Sequence, residues 1–312
     1  MIGEEFLDKG LTALGRCRHA PWDAHFAAAV LAGFYFSANN RLSADTERNL
    51  EAQLRLLIRT KPALFETYTH NGRVADAFGP VVEALETSVD KFSELGHNCI
   101  FSAYALRALK DLGAFRRDEA IRDIAAVIRT FHDGPARYWL RIGKGHDPRK
   151  FSIPHRMIFT DNLPAAAMAR IILSELPKFE HVYTQMGSKS HIGHLLTQSQ
   201  ALVTLRELGF PELANRGSYS LECRFLLLKD SQPHRSSPLS FYTPATRSAL
   251  LPTEPEYWLQ DFTHCEWDEG HTFKYTFSFH ELLNRSGDPG LNQHATEKFR
   301  YLISPNERSK PT

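Results

Sequence analysis

The chain has 312 residues, 42% of them hydrophobic, enough to bury the interior of one large domain spanning 1–312. Its 37 Lys and Arg balance 36 Asp and Glu, so bulk charge gives no reason to expect a nucleic-acid partner or an anionic membrane surface. The start, MIGEEFLDKG, lacks the basic region and apolar run of a secretory signal, and no uninterrupted run of about 18 apolar residues follows; a soluble cytoplasmic protein is expected.

In chain order, helical spacing of apolar residues predicts helices over 22–38, 43–59, 73–92, 96–112, 116–132, 164–176, 194–208 and 211–228. Ser43, with Thr46 and Glu47 behind it, suits an N-cap; Pro164 and Pro211 suit first turns, and Gly113 and Gly209 suit helix stops. Residues 96–132 and 193–228 then form two helical hairpins, and the distance between their turns implies about two hairpins of roughly 45–50 residues each. Residues 24–38 carry no Lys, Arg or Glu, whereas 43–59 is amphipathic and charged, which predicts inner helices alternating with outer ones. Two stretches, 133–163 and 229–254, are too long and too rich in Pro, Gly and Ser for hairpin turns; their aromatic residues make them candidate lids. Cys17, Cys99, Cys223 and Cys265 are far apart without C-x-x-C spacing, and reduced thiols are expected.

A glycine-histidine pair recurs at Gly96-His97, Gly193-His194 and Gly270-His271, each opening an apolar stretch. With His25, this puts four imidazoles at the starts of presumed inner helices. Neutral imidazole takes or gives a proton near pH 7 and binds first-row metals, so His97, His271, His194 and His25, with Tyr275, are the candidate catalytic residues. His191 and His194, three positions apart, share a helix face if the helix includes Ser190, and they form a candidate metal pair needing ligands from elsewhere. Arg137 and Arg156, in the basic stretch 133–163, are candidates for holding an anionic group; Trp22, Asn98 and Tyr104 complete the candidate substrate-binding set. Phe26 and Phe273 are further expected wall residues. His264 to Tyr275 crowds acids, imidazoles, an amine and a phenol before the last Gly-His helix. His191-Ile192-Gly193-His194 spells a class I aminoacyl-tRNA synthetase signature, but its flanks are helical and lack the parallel-sheet pattern that signature requires.

Alternating inner and outer helices with imidazoles at inner-helix starts resemble the α/α-toroid superfamily, barrels of six or seven hairpins that include sugar epimerases, polysaccharide lyases and terpene cyclases. The resemblance covers roughly 20–290 and is architectural: the chain has no D-x-D-D, no D-D-x-x-D and no Cys-His-Gly. It implies an all-α toroid whose cavity histidines act on a small, anionic or sugar-like substrate by general acid-base chemistry, as an isomerase or lyase with no cofactor. Two alternatives stand beside it: a metal-dependent oxygenase or hydrolase holding Fe, Zn or Cu, and a helical-repeat binding module. Nothing in the sequence sets the oligomeric state.

Overall fold

The computed structural model describes residues 2–69, 76–91, 94–113, 115, 117–131, 152–153, 158–183, 188–230, 244–260, 262 and 270–304. Among these residues there are eleven α-helices and no strand. They are α1 (Glu5–Arg16), α2 (Ala24–Asn39), α3 (Ala44–Thr60), α4 (Gly79–Glu86), α5 (His97–Leu112), α6 (Asp118–Thr130), α7 (Ala165–Glu175), α8 (Ser188–Glu207), α9 (Pro211–Asp230), α10 (His271–Ser286) and α11 (Pro289–Phe299). None is long and apolar enough to cross a membrane.

Composition sorts the helices into layers. In α2, a run of alanines with Val30, Leu31, Phe34, Tyr35 and Phe36 leaves no polar face, and 13 of its 16 residues are buried. A helix hydrophobic on every side is stable only when surrounded. By contrast, α3 buries only Thr46, Leu50 and Leu54, one stripe at four-residue spacing, and its Ser43 cap accepts a hydrogen bond from the Thr46 amide at 3.1 Å. Four helices form a closed ring of contacts, since α2 touches α5 and α10, and α8 touches the same two. α1 packs on α2, α5 and α6; α7 and α9 cover α8, and α7 also packs on α10.

The four ring helices run in the same direction, as both of their ends show. At the C-terminal end, the Glu281 carboxylate accepts from Asn39 at 2.6 Å and from Arg285 at 2.6 Å, with Arg107 at 3.4 Å. Arg285 also reaches Glu207 at 2.8 Å, and Tyr35 donates to Asp111 at 2.9 Å. Charges from α5, α8 and α10 are thus tied together, with Asn39 and Tyr35 of α2 donating into the network. Glu281 has only 3% of its side chain exposed, so removing it takes a buried acid away from two guanidinium groups and leaves Arg107 with Asp111 and Arg285 with Glu207. Glu281→Leu is therefore expected to cost about 2 kcal/mol, read as a lower midpoint in urea unfolding at unchanged slope.

Several sequence expectations need correction. α1 and α11 are helices beyond those expected from the sequence, and the helix expected over 73–92 is the shorter α4. Between α6 and α8 the described residues hold α7 alone rather than a pair of helices. α9 is buried on most sides instead of presenting a solvated face, because the described end of the stretch 133–163 wraps it. There the Glu222 carboxylate accepts from the amides of Ile158 and Phe159 at 2.9 and 3.1 Å, and Asn215 pairs with Asn162. α9 also runs on to Asp230, into the start of the stretch expected to be irregular from 229. Cys17, Cys99 and Cys223 are free and buried, with their thiols pushed up by desolvation; Cys265 lies outside the described residues.

Candidate functional site

The N-terminal ends of the four ring helices meet at the histidines. His97 and His271 are the first residues of α5 and α10, and His25 is the second of α2. The glycines before His97 and His271 have φ of +79° and +77°, a left-handed conformation in which a side chain is strained. Each turns the chain sharply into its helix, so the first residue already faces the ring's interior. His194 arrives differently. α8 begins at Ser188, so Gly193-His194 lies inside the helix rather than at its start, and Ser190 belongs to the helix as the spacing argument required.

One ring nitrogen from each of His25, His97, His194 and His271 lies within 4.8 Å of the other three. The imidazoles follow the order of the helices around the ring. Centroid separations are 4.6 Å from His25 to His97, 4.8 Å from His97 to His194, 5.1 Å from His194 to His271 and 4.7 Å from His271 to His25. His25, His97 and His194 are each 1% exposed.

Backbone carbonyls fix two tautomers. His25 donates from Nδ1 to the Trp22 carbonyl at 2.9 Å, and His194 donates from Nδ1 to the Ser190 carbonyl at 2.6 Å. A neutral imidazole protonated at Nδ1 carries its lone pair at Nε2. The Nε2 of His194 faces the Nε2 of His97 at 3.0 Å, so without a cation between them His97 is the donor. Burial holds His25 and His194 well below the usual histidine range; Lys274 and neighbouring imidazoles push in the same direction, and the carbonyl bonds oppose it. Both are neutral at pH 7. Lys274, 1% exposed, follows His271 by one turn of α10, and the fully buried Arg224 of α9 also acts on His194.

Trp22 covers the outer side of the cluster. Its indole stacks on His25 at 5.7 Å and meets His97 and Phe131 edge-on at 5.6 and 5.5 Å, while 47% of it stays exposed. Phe101, one turn after His97, stacks on that ring at 5.4 Å. Tyr275 lies 5.4 Å from His271 and 5.8 Å from His194, with its hydroxyl 3.3 Å from the Ser190 carbonyl.

The other singled-out residues go elsewhere. His191 is buried on α8 but is not one of the four converging rings, so the pair of His191 and His194 is not the ligand set the i, i+3 spacing suggested. Asn98, one position past His97, is turned about 100° around α5 and donates to the carbonyl and hydroxyl of Ser88. Tyr104 shares the face of His97, but seven residues place it roughly 10 Å down the axis, where it packs on Phe277. Phe26 lies under Lys61, and Phe273 stacks on Trp258 at 5.2 Å. Arg137 and Arg156, and residues 263–269 of the acid-rich approach to α10, lie outside the described residues. Phe101 was legible as the i+4 neighbour of His97, whereas nothing in the sequence ties Arg224, on a helix expected to be outer, to this centre. No protein-family model, no curated protein and no solved structure matches the chain.

Proposed function

We propose that the four histidines hold a single first-row transition-metal ion, and that the chain is a metal-dependent enzyme of oxygenase type. The observation that carries this reading is the convergence of four buried nitrogens, one from each ring helix, within 4.8 Å. Metal–imidazole bonds of about 2.0–2.1 Å gather a group of that spread around one ion. The carbonyl acceptors on His25 and His194 are the outer partners that metal-bound histidines ordinarily have, and the depressed basicity of both rings keeps their lone pairs available at neutral pH.

The donor set narrows the chemistry. Four protein ligands complete a tetrahedral zinc site and leave no position for a substrate or an activated water, whereas iron or copper accepts one or two further ligands. Such an ion supplies oxygen or redox chemistry when bound. The protein's part is to exclude water with Phe101 and Phe131, to keep the rings neutral and oriented, and to admit a small organic molecule beneath Trp22. The ring of parallel inner helices, with outer helices packed on it, supports an α/α-toroid architecture, and the reduced cysteines suit the cytoplasm.

Acid-base catalysis by the same rings is the second reading, favoured by the 3.0 Å contact of His97 and His194, a distance short enough for proton transfer. Metal analysis separates the two. Protein purified without a histidine tag and offered Fe(II), Cu(II) or Zn(II) is expected to retain close to one equivalent after dialysis. A protein that turns over substrate free of metal would rule out the metal reading and leave the acid-base one.

A further inference from the structure

We infer that Tyr275 is a positioning residue, a spacer between α8 and α10 that holds His194 and His271 at the separation one ion requires, and that Gly193 exists to admit it. The inference rests on the metal reading above. Tyr275 follows His271 by one turn on α10, and its ring lies against both imidazoles. The same ring presses on the backbone of α8 at the residue before His194: a Cβ on Gly193 would stand 2.2 Å from Tyr275 Cζ and under 3 Å from both Cε atoms. No side chain fits there while the tyrosine stays. Gly193 is in the interior of α8, where glycine weakens a helix relative to alanine by roughly 0.5–1 kcal/mol, so its presence calls for a local reason.

The hydroxyl adds a second constraint. Tyr275 donates to the Ser190 carbonyl, the same oxygen that accepts the Nδ1–H of His194, and its oxygen lies 3.3 Å from that nitrogen. One side chain, 2% exposed, therefore sets both the distance between two ligand-bearing helices and the partner that orients one ligand. Acting through His194 and His271, it influences which metal fits and how strongly it is held. This also accounts for the second Gly-His pair, whose glycine has a different task from those of the other two.

Cobalt(II) is the probe, loaded into the whole chain, with affinity from chelator competition and ligand-field bands from visible spectra. Tyr275→Leu and Gly193→Ala are expected to weaken cobalt binding by about 10- to 100-fold and to shift the bands. Tyr275→Phe, which keeps the spacer and loses only the hydroxyl's bond to the Ser190 carbonyl, weakens binding by less than either, at most about tenfold. The double variant Gly193→Ala, Tyr275→Leu binds no more weakly than Tyr275→Leu alone, because the methyl group then has room; that non-additivity distinguishes a spacer from general destabilisation. Should either single variant fail to fold, the other and the phenylalanine variant still decide. Wild-type affinity and spectra in both single variants, or penalties that simply add, would overturn the inference while leaving the metal reading intact. A wild-type chain that takes up no cobalt would remove the metal reading and this inference with it.

Discussion

His97→Ala and His194→Ala are each expected to purify with less than a tenth of the wild-type metal and to lose turnover with it. The four nitrogens come from four helices, so on the metal reading each histidine supplies a separate ligand rather than one of a redundant pair. Zinc bound by four side chains contributes on the order of 10–16 kcal/mol, which divides into roughly 100- to 1000-fold in affinity per ligand. His191→Ala is the informative control. It removes an equally buried imidazole from the same helix, only one turn away, yet its ring is outside the converging group, so metal content stays near wild type. Metal retained by His194→Ala but lost from His191→Ala would place the ion elsewhere.

The second large effect is acid instability of the metal-free protein. His280 lies nine positions after His271 on α10, enclosed by Phe36, Phe279 and Phe299, and desolvation lowers its pKa to about 4. Above pH 6.5 it is neutral in both the folded and unfolded chain and imposes no pH dependence. As pH falls from 6.5 towards 4, the unfolded chain takes up a proton that the folded chain refuses. Stability drains away at about 1.4 kcal/mol per pH unit, reaching roughly 3 kcal/mol in all. His25 and His194, also lowered, act in the same direction. Urea unfolding between pH 6.5 and 5 should therefore show a slope approaching three protons, and His280→Leu should reduce it by about one. A bound metal should hold the cluster against protons and flatten the curve in that window. An unchanged slope in His280→Leu would contradict the enclosed, neutral imidazole.

Sequence pattern reached the four histidines for a sound reason. Their helices run in parallel and form a ring, so residues near the helix starts meet at one level, and the Gly-His repeats mark two of those starts. Periodicity also separated α2 from α3, since one lacks a polar face and the other has a single buried stripe. What it missed is three-dimensional. Spacing of i, i+3 pairs His191 with His194 on one helix, but the ring selects one imidazole per helix, and two rings a turn apart sit at different depths. Asn98 and Phe26 immediately follow cluster histidines, and a 100° turn per residue was enough to send them away from the centre. Tyr104 was on the right face and too far along it. α1 carries its apolar stripe, with Phe6, Leu7, Leu11 and Leu14 all buried, among acids and lysine that also suit an exposed N-terminal segment. Arg224 was not legible at all, since nothing in the pattern of a helix read as outer shows that this arginine is fully buried and acts on His194.

The most direct measurement is diffraction from crystals of the metal-loaded protein, recorded on both sides of the metal's absorption edge. One anomalous peak is expected, about 2.0–2.2 Å from a nitrogen of His25, His97, His194 and His271, with Nε2 as the ligand atom of His25 and His194. A protein that takes up stoichiometric metal and places it away from these four rings, or whose rings stay hydrogen-bonded to one another with no ion between them, would show that the cluster is not a metal centre.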